Sequence, residues 1–154
     1  MTRKDWLLAL IALPDEVGYL PDVPRVHLQK CMFILGRRRP EIVGPDYYPF
    51  KAGSYGPYSP EVTLDCEALV AQGLTEVSRS GPGLRMHVHY RGTREGLVTV
   101  KALPVEESAA RYLVQLRTWA TELTFTDLVA SICQEWPEQR ENAIFGALVT
   151  PSAS

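Results

Sequence analysis

Between Pro40 and Pro60 the backbone is punctuated every few residues by Pro40, Gly44, Pro45, Pro49, Gly53, Gly56, Pro57 and Pro60. Tyr47, Tyr48, Phe50, Tyr55 and Tyr58 stand between them. Proline and glycine fix an irregular path, and the aromatic rings give that path area to pack. The stretch therefore predicts an ordered connector and not a floppy linker. Ser59 is a good N-cap residue and Pro60 suits a first helical position, so the connector ends in a helix.

The segments on either side are periodic. Helical spacing predicts a helix over about 2–12, ended by Leu13-Pro14, and a Pro-rich loop from Pro14 to Pro24. A second helix runs from about Val26 to Gly36. Its apolar residues (Val26, Leu28, Cys31, Met32, Phe33, Ile34, Leu35) surround much of its circumference, which predicts a central buried helix. It stops at Gly36, and Arg37-Arg38-Arg39-Pro40 leaves in an extended path. The third helix runs from Pro60 to about Gln72, with Gly73 as its stop and Val62, Cys66, Leu69 and Val70 on one face. A hairpin follows: Leu74 to Arg79, a turn at Ser80-Gly81-Pro82-Gly83, then Leu84 to Arg91. Its second strand alternates Leu84, Met86, Val88 and Tyr90 inward with Arg85, His87, His89 and Arg91 outward. Helix, helix, helix, hairpin is the order of a winged-helix domain, here residues 1–103. A short helix over 93–103 and two amphipathic helices after Pro104 complete an α+β, mostly helical chain. Residues 104–150 form a C-terminal helical extension, either packed on the first domain or forming a dimer interface.

Composition narrows the function classes. With 45% hydrophobic and 22% charged residues, the chain has enough apolar material for a real core. Its net charge of −2 gives no general pull toward nucleic acid. Charge is uneven, with 13 Lys/Arg against 11 Asp/Glu over 1–103 and 3 against 7 over 104–154. Cys31, Cys66 and Cys133 form no CxxC pair and fall in apolar-periodic segments, which predicts free thiols in a reducing, cytoplasmic compartment. The apolar run Trp6–Leu13 follows Arg3-Lys4, but Asp5 and the absence of a small-x-small site favour a core helix over a signal peptide. No run approaches the length of a membrane span.

Three segments carry a family resemblance. His27-Leu28-Gln29-Lys30-Cys31-Met32-Phe33-Ile34-Leu35 is similar to the LQK-apolar helix of Panacea-type, SocA-like antitoxin-associated domains, in particular their YwgA-like branch. Pro49-Phe50-Lys51 followed by Tyr55-Gly56-Pro57-Tyr58-Ser59-Pro60-Glu61 looks like that group's GPYSPE loop, lengthened here by Ala52-Gly53-Ser54. Leu69 to Leu74 matches the usual end of the next helix. Leu128-Val129 through Pro137-Glu138 resembles the end of the branch. The resemblance implies a winged-helix-like fold without a known active site. It also implies action by contact with a protein partner, such as a toxin or phage-defence component, and sometimes with DNA.

Each candidate site has a second, structural reading. Tyr47, Tyr48 and Tyr55 suit a protein-binding surface, or they pack against the second and third helices, as Phe50 and Tyr58 are expected to do. For DNA, the third helix is a poor reader: Glu61, Thr63, Asp65, Glu67 and Gln72 include no cation. The wing is the better surface. Arg85, His87, His89 and Arg91 share one strand face, and Arg79 or the Arg37-Arg38-Arg39 run would extend it toward phosphates; the other reading is a solvated, charged strand face. His87 and His89 suit a metal as an i, i+2 pair, but no third ligand can be named, so no metal and no cofactor are expected. Glu106, Glu107, Glu122, Asp127, Glu135, Glu138 and Glu141 form either a solvated face or a surface for a basic partner or a second copy, with Trp119 and Trp136 as core residues or dimer anchors. Cys31 and His27 lie one helical turn apart, but in a buried helix they read as a core pair, and no catalytic motif is present. The expectation is a non-catalytic protein-binding module, with a DNA-binding regulator as the alternative.

Overall fold

A computed structural model describes residues 1–82 and 87–140. Helix α1 spans Arg3–Ala12 and opens on a capping box, in which the Thr2 hydroxyl accepts from the Asp5 N–H and the Asp5 carboxylate from the Thr2 N–H. Seven consecutive residues, Trp6 to Ala12, are buried, so α1 is enclosed on all sides. Strand β1 (Val23–Pro24), α2 (Arg25–Arg38), the short α3 (Pro40–Val43) and the hairpin β2 (Lys51–Gly53) and β3 (Gly56–Tyr58) follow. Then come α4 (Pro60–Ala71), β4 (Thr75–Ser80), β5 (His87–Gly92), α5 (Arg94–Ala102), α6 (Glu107–Glu122), α7 (Phe125–Glu135) and a 3₁₀ turn, Pro137–Arg140.

The fold is α+β and mostly helical. Its larger sheet is antiparallel with strand order β1-β5-β4, the register placing Val23 opposite Tyr90 and Val77 opposite Tyr90 from the other side. The sequence α1–β1–α2–α4–β4–β5 wired through that sheet is winged-helix connectivity. Helices α6 and α7 pack on α1 and α2, and Leu113, Leu116, Ala120, Leu128 and Ile132 share one apolar core with residues of the first 103 positions.

Several elements depart from the sequence reading, each for a local reason. Helix α2 passes through Gly36 and ends at Arg38, so the arginines do not leave in an extended path. Gly36 is needed not as a stop but for closeness, since a Cβ there would overlap the Tyr47 ring. The break comes one residue before Pro40, whose ring disfavours helical geometry at Arg39. The connector is ordered, as expected, and also holds α3 and the β2–β3 hairpin, which pairs Lys51 with Tyr58 and Gly53 with Gly56. Within it Tyr58, expected to pack inward, is 45% exposed, while Tyr48, open to either reading, is buried. Val26, placed in the central helix's apolar surface, is also 45% exposed. Ser59 occupies the α4 N-cap position, but its side chain makes no capping bond. Arg85 and the expected inward residues Leu84 and Met86 lie outside the described residues, as does Glu141.

Candidate functional site

The two segments that carry the family resemblance meet in space. Gln29 and Lys30 are almost fully buried on α2, where polar side chains require partners. The Gln29 carboxamide accepts from the Ser59 N–H at 3.0 Å and donates to the Ser59 carbonyl at 2.8 Å and the Thr63 hydroxyl at 3.1 Å. Lys30 donates to the Pro57 carbonyl at 3.0 Å, and burial pushes its ammonium down to about 8. These residues therefore hold the Gly56–Pro60 loop in place and present nothing to a ligand.

The aromatic connector is mostly turned inward. The Tyr47 hydroxyl donates to the Met32 carbonyl, and the Tyr48 hydroxyl to the Asp65 carboxylate, both at 2.6 Å. Burial raises both phenols above their ordinary range. Phe50 stacks edge-on against Phe33. Of the three tyrosines named as a protein-binding set, Tyr55 alone lies on the surface, 56% exposed in the β2–β3 turn. Leu64, which sequence reasoning passed over, is 61% exposed on α4. It shares an outward stripe with Pro60, Glu67 and Ala71 at helical spacing.

Of the arginines proposed for phosphate contact, Arg37, Arg38, Arg39 and Arg91 are committed elsewhere. Arg37 pairs with Glu138 at 2.8 Å, Arg38 with Glu135 at 2.6 Å and Arg39 with Glu41 at 2.5 Å. Arg38 also lies over the Trp119 and Trp136 rings, and Arg39 over Tyr112. The run thus fastens the end of α2 to the C-terminal helices. Its distance from the wing follows from helix geometry: β5 meets the chain at Pro24, and Arg38 lies about 20 Å further along α2. On the wing, Arg91 pairs with Asp22 at 3.0 Å. Arg79 sits opposite Val88 in the β4–β5 ladder, so it faces away from His87 and His89. The row expected along the wing therefore divides into paired arginines, an arginine on the other face, Arg85 outside the described residues, and the two histidines.

Those histidines have a different neighbourhood. A groove of about 540 Å³ opens between the start of α2, β5 and the start of α7, lined by Pro24, Arg25, Val26, His27, His87, Val88, His89 and Phe125. The chain has three histidines, and all three lie here. Among the described residues no group of three His, Cys, Asp or Glu side chains is placed to hold a metal ion. Cys31 is fully buried with its thiol pushed up to about 12, the opposite of an activated nucleophile. His27 donates through Nε2 to the Leu123 carbonyl at 3.0 Å and not to that thiol.

The C-terminal helices turn their apolar faces into the chain's own core, leaving Trp119 as their exposed large aromatic. No helix among the described residues is long and apolar enough to cross a membrane.

No family model matches the chain, and no curated protein matches it.

Proposed function

We propose that this chain is a non-catalytic interaction module that binds a protein partner, a role in keeping with the antitoxin-associated domains its motifs resemble. One observation carries the reading. The helix that occupies the groove-reading position of a winged helix, α4, carries no Lys or Arg and presents Pro60, Leu64, Glu67 and Ala71 outward. Its remaining carboxylates are engaged internally, Glu61 by Arg3 at 2.6 Å and Asp65 by Tyr48. A phosphate backbone is repelled by such a surface, whereas a protein partner finds on it an exposed leucine with Tyr55 and Tyr58 exposed on the preceding hairpin. The partner class in this reading is a toxin or other defence component.

The test compares wild type with a Leu64→Glu, Tyr55→Glu variant in co-purification from the native host. A protein recovered with wild type and lost with the variant supports the reading. The alternative, a DNA-binding regulator, is measured on a random-sequence duplex across a salt series. Tight binding that weakens steeply with salt and is lost on replacing Arg79 and Arg85 with Ala would overturn our reading in its favour.

A further inference from the structure

We infer that the groove between α2, β5 and α7 is a binding site for a small organic anion, a carboxylate or phosphate monoester carried on an apolar body. Its walls give the two halves of that description. Val26, Val88, Pro24 and Phe125 are apolar, and at about 540 Å³ the space is in the range of small-molecule sites. The polar groups are Arg25, His27, His87 and His89, and no described lining residue is a carboxylate. Asp22, two residues before Pro24, is engaged by Arg91. In a chain of net charge −2, a groove whose ionisable groups are all nitrogen bases selects for negative charge.

Two further features point the same way. The groove lies at the N-terminus of α2, a fourteen-residue helix that begins at Pro24 without a side-chain cap, so the positive end of its dipole is unneutralised there. His27, only 8% exposed, donates from Nε2 to the Leu123 carbonyl, which leaves its buried Nδ1 an acceptor without a partner. A buried acceptor left unpaired is costly, and the hydroxyl of a singly protonated phosphate monoester is a donor that completes it. Arg25 donates from Nε and Nη2 to the Tyr90 hydroxyl, which orients its guanidinium beside the groove without neutralising it.

The experiment follows the three imidazoles of the full chain by ¹H–¹⁵N NMR during titration with phenyl phosphate, benzoate and inorganic phosphate. The expected result is saturable movement of the His27, His87 and His89 signals with at least one organic anion. Inorganic phosphate, lacking the apolar body, should bind about tenfold more weakly. Tighter binding of phenyl phosphate identifies a phosphate monoester, and tighter binding of benzoate a carboxylate. Arg25→Gln should weaken the better ligand by about tenfold or more. Because Arg25 also supports Tyr90, a His87→Gln, His89→Gln variant, altered at the groove's rim, should show the same direction. No saturable shift with either organic anion would overturn the inference, as would binding unchanged in both variants.

Discussion

The side chain of Gln29 and the backbone of Ser59 are joined by two hydrogen bonds, one in each direction, as two neighbouring strands would be. The pairing explains why the polar residues of α2 and the Gly-Pro-Tyr-Ser-Pro segment belong together: the carboxamide supplies the acceptor for the buried Ser59 N–H and a second donor to a carbonyl that also accepts from the Val62 N–H. Replacing Gln29 with Leu leaves the Ser59 N–H unpaired away from water, while the Ser59 carbonyl keeps the Val62 N–H at 3.2 Å. The expected cost is about 1–3 kcal/mol, that of one orphaned buried group. It should read out as a lower urea midpoint at unchanged m. A midpoint within error of wild type would show that the loop does not depend on this pair.

Lys30 makes the stability of the fold pH-dependent in a definite direction. Its ordinary value of 10.5 applies in the unfolded chain, and burial lowers it to about 8 in the fold. Between those values the unfolded chain holds more protons, so this residue's contribution to stability grows as pH rises from 8 to 10.5 and is absent below 8. The buried thiols of Cys31 and Cys66 act oppositely at higher pH, so the comparison is with a Lys30→Met variant that retains them. The unfolding free energy of wild type minus that of the variant should increase by about 3 kcal/mol across the interval. A flat difference would mean the ammonium is not desolvated.

The three cysteines should be silent toward alkylation in the native state. Cys31, Cys66 and Cys133 are at most 1% exposed, and burial raises each thiol, to about 12 for the first two. Only the thiolate reacts. Iodoacetamide at pH 8 is expected to modify none of them until denaturant is added, followed by mass spectrometry. Prompt labelling of one site would place that thiol on the surface.

Arg117 closes the far end of α1. It is 1% exposed, and its Nη1 donates to the carbonyls of Leu10 and Leu13 at 2.9 and 2.6 Å, where a helix C-terminus carries unpaired acceptors and partial negative charge. Desolvation lowers its ordinary value, so the site bears the strain of a buried cation. Arg117→Leu should destabilise by about 3 kcal/mol through the abandoned carbonyls. Arg117→Lys should restore little of it, since the lysine stem is one atom shorter and falls short of the place that Nη1 holds between the two carbonyls. Thermal midpoints of the two variants test this together.

Much of the fold was legible from local pattern. Helices α1, α2, α4 and α5 and two more after Pro104 follow from helical spacing, with Gly73, at φ 74°, as the stop of α4. What stayed hidden was set by partners distant in sequence. Nothing near Arg37 or Arg38 announces Glu138 or Glu135, about a hundred positions away. A run of three arginines reads as a basic patch until those carboxylates are placed. Tyr48 and Tyr58 have similar local contexts, and only the packing of α4 decides that the first is enclosed and the second open. Strand β1 is two residues long, too short for any alternation to register. The groove at the start of α2 draws its histidines from positions 27, 87 and 89, so the pair on β5 was visible and its third member was not.

The burial of α1 also has a consequence in time. Seven successive residues, Trp6 to Ala12, need cover on every side, and part of that cover, including the guanidinium that seals the helix end, lies 107 positions downstream of Leu10. A ribosome adding about 5–20 residues per second takes roughly 5–20 s to make that stretch. Through that interval the most apolar segment of the chain is without its final neighbour, a natural handhold for a chaperone and a place where synthesis that stalls before α6 would yield a sticky product.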